Sequence, residues 1–174
     1  MQACRLDEVV FLPERRPRDK HNVTDISHRL ALIKRATEAA ACLRVLSLAS
    51  DQFTVSSTLP ELCTAFSNAR LTFLLGSDVV RTFSYRWTGL DMLFDQVSFA
   101  VGMRANDDAG EIAAIIAGIE QEYNVTPFYT CIHTPGAGLA SSRIRDGLVD
   151  MSWLPNPAIL SYIQDHGLYP KMAS

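Results

Sequence analysis

The sequence predicts an α/β fold: a Rossmann-like open parallel sheet with helices on both faces. Three observations carry this. Short apolar, β-branched runs recur along the chain and end in Pro or Gly, as buried strands do. Stretches with helical apolar spacing, roughly 10–15 residues each, separate them in the manner of βαβ units. The chemically interesting side chains cluster in loops that follow strands, and open parallel sheets bind ligands beyond the carboxyl ends of their strands.

Taken in order, "LDEVVFLP", Leu6 to Pro13, is a short β-branched run stopped by proline, hence a strand. "ERRPRDKHNVTD" is polar and basic, hence a loop. "ISHRLALIKRATEAAAC" has helical apolar spacing and many good helix formers, with Asp25 or Ser27 as its cap. "LRVLSLAS" reads as a strand. "STLPELCTAFSNA" reads as a short helix with Pro60 in its first turn. "LTFLLGSD", Leu71 to Asp78, is a second buried strand. A helical region through Trp87 and Leu93 follows, then a strand "VSFAVGMR", a long helix from Asp107 to Tyr123, and a strand "PFYTCIHT". Helices from about Ser141 and from Pro157 to His166 close the chain. There is no repeat and no linker, so residues 1–174 are expected to form one domain.

Bulk properties narrow the function classes. The chain is 48% hydrophobic and 20% charged, ordinary for a globular protein. A net charge of −3 gives no global attraction for nucleic acid or a membrane surface, so neither is expected as a partner. No apolar run approaches a membrane span, and the N-terminus has no signal-peptide core. Cys4, Cys42, Cys63 and Cys131 are widely spaced and form no CxxC pair, which suits reduced thiols and a cytoplasmic location.

Three loops hold candidate binding groups. In "GAGLASSRIRDGL", Ser141, Ser142 and Arg145 stand at an expected helix start. Its unpaired N–H groups and dipole, two hydroxyls and a guanidinium fork form a phosphate cradle there. A serine cap with exposed arginines is the alternative. After the first strand come Arg15, Arg16, Arg18, Lys20 and His21, either a second anion site or a solvated basic loop. Gly76-Ser77-Asp78 follows another strand: glycine permits close approach of a ligand and aspartate accepts from a ribose hydroxyl, or the pair is a turn glycine and a helix cap. Trp87 and Tyr85 are rings for stacking or for packing. His28 and His133 show no metal-ligand spacing and read as structural, and no metal-binding residues are expected. There is no GxSxG or P-loop.

The order of these pieces resembles the bacterial nicotinate-mononucleotide adenylyltransferases of the nucleotidylyltransferase superfamily, from about Leu6 to Tyr169. "LDEVVFLPERRPRDK" is similar to that family's strand and substrate loop, usually ending PPHK; here it is Pro17, Arg18, Asp19 and Lys20. "SHRLALIKRA" resembles the helix that follows. "FTVSSTL" resembles SYTxxTL, which implies Thr54 near the nicotinate carboxylate. "FLLGSDVVRTF" is similar to FIIGxDxLxxF, which implies Gly76 and Asp78 near the nucleotide. Trp87 resembles the ring-contacting aromatic. "LASSRIRDGL" is similar to ISSTxIR, which implies ATP phosphates on Ser141, Ser142 and Arg145. "LPNPAILSYIQDHGLYP" resembles the C-terminal end, HGLY included.

The resemblance implies an adenylyltransferase of NAD biosynthesis that moves AMP from ATP to nicotinate mononucleotide and releases pyrophosphate, with Mg²⁺ on the phosphates. No covalent nucleophile is needed, since catalysis rests on positioning and charge stabilisation. The family also opens with a strand followed by GxFxPxHxGH, and no HxGH pattern occurs in these 174 residues. Turnover is therefore expected at least about 100-fold below that of a complete enzyme, the scale of one lost transition-state donor. Non-catalytic readings are a nucleotide-binding relic or a regulatory protein of the same fold. A transferase of the superfamily acting on another acceptor is a third. In the family that first strand lies beside the strands matching Leu6–Leu12 and Leu71–Leu75. Without it those two are expected to pair directly, to pair with another chain as a homo-oligomer, or to fold poorly.

Overall fold

The computed structural model describes residues 4–18, 20, 23–104, 106–133 and 156–168. The chain divides into two compact units, Met1–Gln52 with Leu139–Ser174, and Phe53–Gly138.

In the first unit, β1 (Val9–Phe11) and β2 (Leu43–Val45) run parallel, with Val10 opposite Arg44. Helix α1 (Ile26–Thr37) makes the crossover between them. Its cap is Asp25, whose carboxylate accepts from Ser27 N–H at 2.8 Å. The apolar-periodic stretch predicted more helix than forms. The helix stops at Thr37, whose hydroxyl donates back to the carbonyls of Ile33 and Lys34, and a turn from Thr37 to Ala40 leads into β2.

Helix α6 (Pro157–Asp165) packs on α1. Its start combines an Asn156 cap with proline at the first helical position. Asn156 Nδ2 also donates to the Arg35 carbonyl at 2.8 Å. Further along, His28 Nδ1 and the Tyr162 hydroxyl lie 2.9 Å apart, and the Arg35 guanidinium sits 4.2 Å above the Tyr162 ring. The His166 ring stacks on the other aromatic, Tyr162, at 4.0 Å. The helix ends in a Schellman motif: Gly167 at φ 57° bonds Gln164, and Leu168 N–H bonds the Ile163 carbonyl. The first three residues of the HGLY sequence, His166 to Leu168, are thus, in physical terms, a helix stop.

The second unit is a run of alternating elements: α2 (Val55–Ala65), β3 (Thr72–Gly76), α3 (Ser77–Arg81), a 3₁₀ turn (Thr82–Tyr85), α4 (Leu90–Gln96), β4 (Ser98–Met103), α5 (Ala109–Tyr123) and β5 (Tyr129–His133). Its sheet is parallel throughout, in the order β3-β4-β5. Central β4 is the most buried strand, as parallel sheets require. Phe99 and Val101 of β4 share a core with Val80, Phe83, Leu90 and Phe94. From α5 come Ile112, Ile116 and Ile119, spaced to lie on one helical face. Asp108 caps α5, and Asn124 ends it in the left-handed region at φ 53°.

Helix α2 starts two residues earlier than its sequence suggested. Thr54 caps it, accepting from Ser57 N–H, while the Thr54 N–H donates to the Thr58 hydroxyl. Pro60 consequently lies inside the helix rather than in its first turn, at the cost of one backbone bond.

The α/β expectation holds: parallel strands flanked by helices. Among the described residues the strands lie in two sheets, and β1 and β3 have one paired neighbour each. The register directs Val10 N–H and C=O away from β2, and those of Thr72, Leu74 and Gly76 away from β4. Phe11 on β1 and Leu74 on β3 are exposed, at 38% and 48%. These are the strands that the family resemblance places beside the GxFxPxHxGH segment.

Candidate functional site

The carboxyl ends of β3 and β4 lie side by side, with Gly76 in register with Gly102. Ser77 and Asp78 open α3 directly after β3, and Arg104 follows the last residue of β4. This is where an open parallel sheet takes a ligand.

Asp78 presents its carboxylate here. Oδ1 accepts from the Val79 N–H at 3.1 Å and Oδ2 accepts from Arg104 Nη2 at 2.9 Å. Both side chains face solvent, Asp78 at 57% and Arg104 at 60% exposed. Gly76 makes that placement possible: a Cβ on it would overlap Asp78 Oδ1. Its φ of −76° is open to any residue, so the glycine serves space rather than backbone conformation.

Behind this pair is a tighter network. The Asp107 side chain is 9% exposed. It accepts from the Ser77 hydroxyl at 2.5 Å, the Arg104 N–H at 2.5 Å and Arg81 Nη2 at 3.0 Å. Arg81 also forks onto Glu111, with bonds of 2.9 and 2.8 Å. Donation from Ser77, then from the Arg104 N–H, then from Arg81, holds the Asp107 carboxyl down at about 2. The Arg81 fork lowers Glu111, and Glu111 and Asp107 in turn raise Arg81. These groups are permanently charged at neutral pH. The assembly offers a ligand one carboxylate acceptor and one guanidinium donor on a fixed base.

The other expected residues are placed as follows. Thr54 is half-buried, and its hydroxyl caps α2 while lying 2.5 Å from the Ser57 hydroxyl. Trp87 packs edge-on against Phe83 with centroids 5.1 Å apart, against the second unit's core. Lys20 is exposed in the loop after β1. In the first unit a cavity of about 250 Å³ lies at the carboxyl ends of β1 and β2, lined by Pro13, Arg15, Ile26, Ser27, Leu30, Ser47 and Leu48. Ser141, Ser142 and Arg145 lie outside the described residues, as does His21. Arg81, Arg104 and Asp107 escaped the sequence reading. The available signal was the charged run "MRANDD" directly after a strand.

Among the described residues no helix is long and apolar enough to cross a membrane, and no group of three or more His, Cys, Asp or Glu side chains could hold a metal ion.

The chain is similar to several known proteins. "Probable nicotinate-nucleotide adenylyltransferase" of Bacillus cereus (strain AH187) is 27% identical over 178 residues, covering 96% of this chain and 85% of that protein. The protein of the same name from Tropheryma whipplei (strain TW08/27) is 29% identical over 173 residues, covering 94% and 84%. Among solved structures, Plasmodium falciparum nicotinic acid mononucleotide adenylyltransferase complexed with NaAD superposes with a TM-score of 0.71 at 19% identity, over 95% of this chain and 83% of that one. The same enzyme complexed with APC gives 0.68. These superpositions show the shared fold. A family profile described as cytidylyltransferase-like matches residues 1–147. With the GSD turn at the carboxyl end of a parallel strand and that match over most of its length, the chain belongs to the cytidylyltransferase-like family.

Proposed function

We propose that this chain is a nicotinate-nucleotide adenylyltransferase, which transfers AMP from ATP to nicotinate mononucleotide. A phosphate oxygen of the mononucleotide attacks the α-phosphorus of ATP in line. The bond from the α-phosphorus to the bridging oxygen breaks, pyrophosphate leaves, and the dinucleotide forms. The observation that carries the reading is the Gly76-Ser77-Asp78 turn. It leaves a carboxylate exposed beside the ends of two parallel strands, in a chain whose relatives over nearly all its length bear that enzyme's name.

In this reading Gly76 lets the nucleotide approach and Asp78 accepts from ribose hydroxyls. Ser141, Ser142 and Arg145 hold the phosphates, and magnesium arrives with the triphosphate as its counterion. Lys20, Thr54 and Trp87 serve the acceptor. The Thr54 hydroxyl has one lone pair beyond the one used for capping when its proton goes to Ser57, and Trp87 is only partly buried beside Phe83. The four cysteines, all free thiols, suit work in the cytoplasm.

The test is pyrophosphate release by the purified 174-residue chain given ATP and magnesium with nicotinate mononucleotide, nicotinamide mononucleotide, or neither, with mass identification of the product. The expected result is nicotinate adenine dinucleotide from the first acceptor. ATP binding without pyrophosphate release from either would replace this reading with a non-catalytic nucleotide-binding role.

A further inference from the structure

We propose that Asp107 is a positioning residue: it binds Ser77, Arg81 and the backbone of Arg104 at once, and so holds the Asp78–Arg104 pair in the geometry that receives the adenine nucleotide. The inference rests on the adenylyltransferase reading.

Three contacts define the device. First, Arg104 N–H donates to Asp107 Oδ2 at 2.5 Å while Asp107 N–H donates to the Arg104 carbonyl at 3.1 Å. These reciprocal bonds tie Asp107 to Arg104 at the point where the chain leaves β4. Second, Ser77 is fully buried, and its hydroxyl donates to the same Oδ2. That bond ties Asp107 to the first residue of α3, next to Asp78. Third, Arg81 Nη2 binds Oδ1 at 3.0 Å and is itself clamped by Glu111 on α5. One carboxylate, 9% exposed, therefore joins the ends of β3 and β4 to α3 and α5.

Apart from the local bond from Val79 N–H to Asp78 Oδ1, neither group it positions has a further side-chain anchor among the described residues. The side chains of Asp78 and Arg104 are more than half exposed and hold each other by one bond of 2.9 Å. An exposed pair of this kind contributes little order by itself. Its separation and orientation come from the backbone segments that Asp107 cross-links. Asp107 touches no substrate in this account.

The experiment uses the full chain and the variants Asp107→Ala and Asp107→Asn. ATP binding is measured by titration calorimetry, exchange of the 104–107 amides by NMR, and the Michaelis constant for nicotinate mononucleotide in the pyrophosphate assay. The Asn variant keeps an acceptor for Ser77 and Arg104 but turns an amide N–H towards Arg81. Asp107→Ala is expected to weaken ATP binding roughly 10- to 100-fold, the scale of a misplaced contact group, with the Asn variant between it and the parent. The Arg104 amide is expected to exchange faster in the Ala variant, and the mononucleotide constant to change less than about 3-fold. A purely structural role would instead lower stability and affect both substrates alike. If the Ala variant does not fold, the Asn variant decides. A folded variant with the parent's ATP affinity overturns the assignment to Asp107 and leaves the adenylyltransferase reading intact. A parent chain that binds no ATP overturns both.

Discussion

Gly76→Ala separates the site's chemistry from the fold's stability. The backbone at Gly76, φ −76° and ψ 155°, is one that alanine adopts freely, so no strain arises there. The new methyl would overlap Asp78 Oδ1, and that carboxylate must swing away. Two interactions go with it: the Val79 N–H bond at 3.1 Å and the Arg104 pair at 2.9 Å. The first is worth about 0.5–1.5 kcal/mol and the second, being exposed, about 0–1 kcal/mol. Replacing glycine returns about 0.4–1 kcal/mol through the unfolded chain. The net change therefore runs from a gain of about 0.5 kcal/mol to a loss of about 2 kcal/mol. Nucleotide binding should suffer more, because a carboxylate aimed at a ribose hydroxyl contributes about 1.5–3 kcal/mol, or roughly 10- to 100-fold in affinity. Urea unfolding reads the first quantity and calorimetric ATP titration the second. Undiminished ATP affinity would refute the role given to Asp78. A loss of more than about 3 kcal/mol in stability would show that Gly76 is needed by the fold instead.

Acid should weaken the second unit through Asp107. Its folded carboxyl titrates at about 2, below the ordinary 3.8, so its stabilisation is complete above about pH 4 and is lost as pH falls towards 2; urea midpoints between pH 7 and pH 2 should show this step, and Asp107→Asn should remove it. Tyr162→Phe deletes the bond to His28 and should cost about 0.5–1.5 kcal/mol by chemical denaturation; a neutral result would mean that the bond only replaces one to water. Phe83 is 2% exposed and meets Trp87, Phe94 and Phe99, so Phe83→Ala should cost about 3–5 kcal/mol. Trp87→Ala should instead raise the Michaelis constant for the mononucleotide and leave ATP binding nearly unchanged; equal damage to both substrates would make Trp87 a core residue.

The strands of the second unit were readable as near-continuous apolar runs, "LTFLL" and "VSFAVGM"; β4 is buried on both faces, whereas β3 is partly buried and exposes Leu74. Helix α5 was readable from its isoleucine spacing, but its first residues were not. Asp107 and Asp108 look alike as caps, and only tertiary structure assigns one to the helix and the other to Ser77, Arg104 and Arg81. That also explains why the site was half visible. Gly76, Ser77 and Asp78 are consecutive in sequence, whereas Arg104, which binds Asp78, and Asp107, which binds Ser77, lie just after the next strand, 26 and 30 positions on. Pro60 misled because proline favours first turns, and the reciprocal bonding of Thr54 and Thr58 outweighed that preference. Thr54 and Trp87 were identified by motif; their capping and packing contacts involve neighbours that the motif does not describe.

The division of the chain bears on how it comes together during synthesis. The unit Phe53–Gly138 is contiguous, and its strand partners lie close in sequence, so its contacts carry small loop-closure costs. The other unit draws on both ends of the polypeptide: the bond between His28 and Tyr162 spans 134 positions. Until α6 has left the ribosome, His28 lacks Tyr162 and has water as its partner. The contiguous unit is thus expected to be native while the N-terminal segment still waits for α6, an interval in which chaperones and proteases meet an unfinished half-sheet.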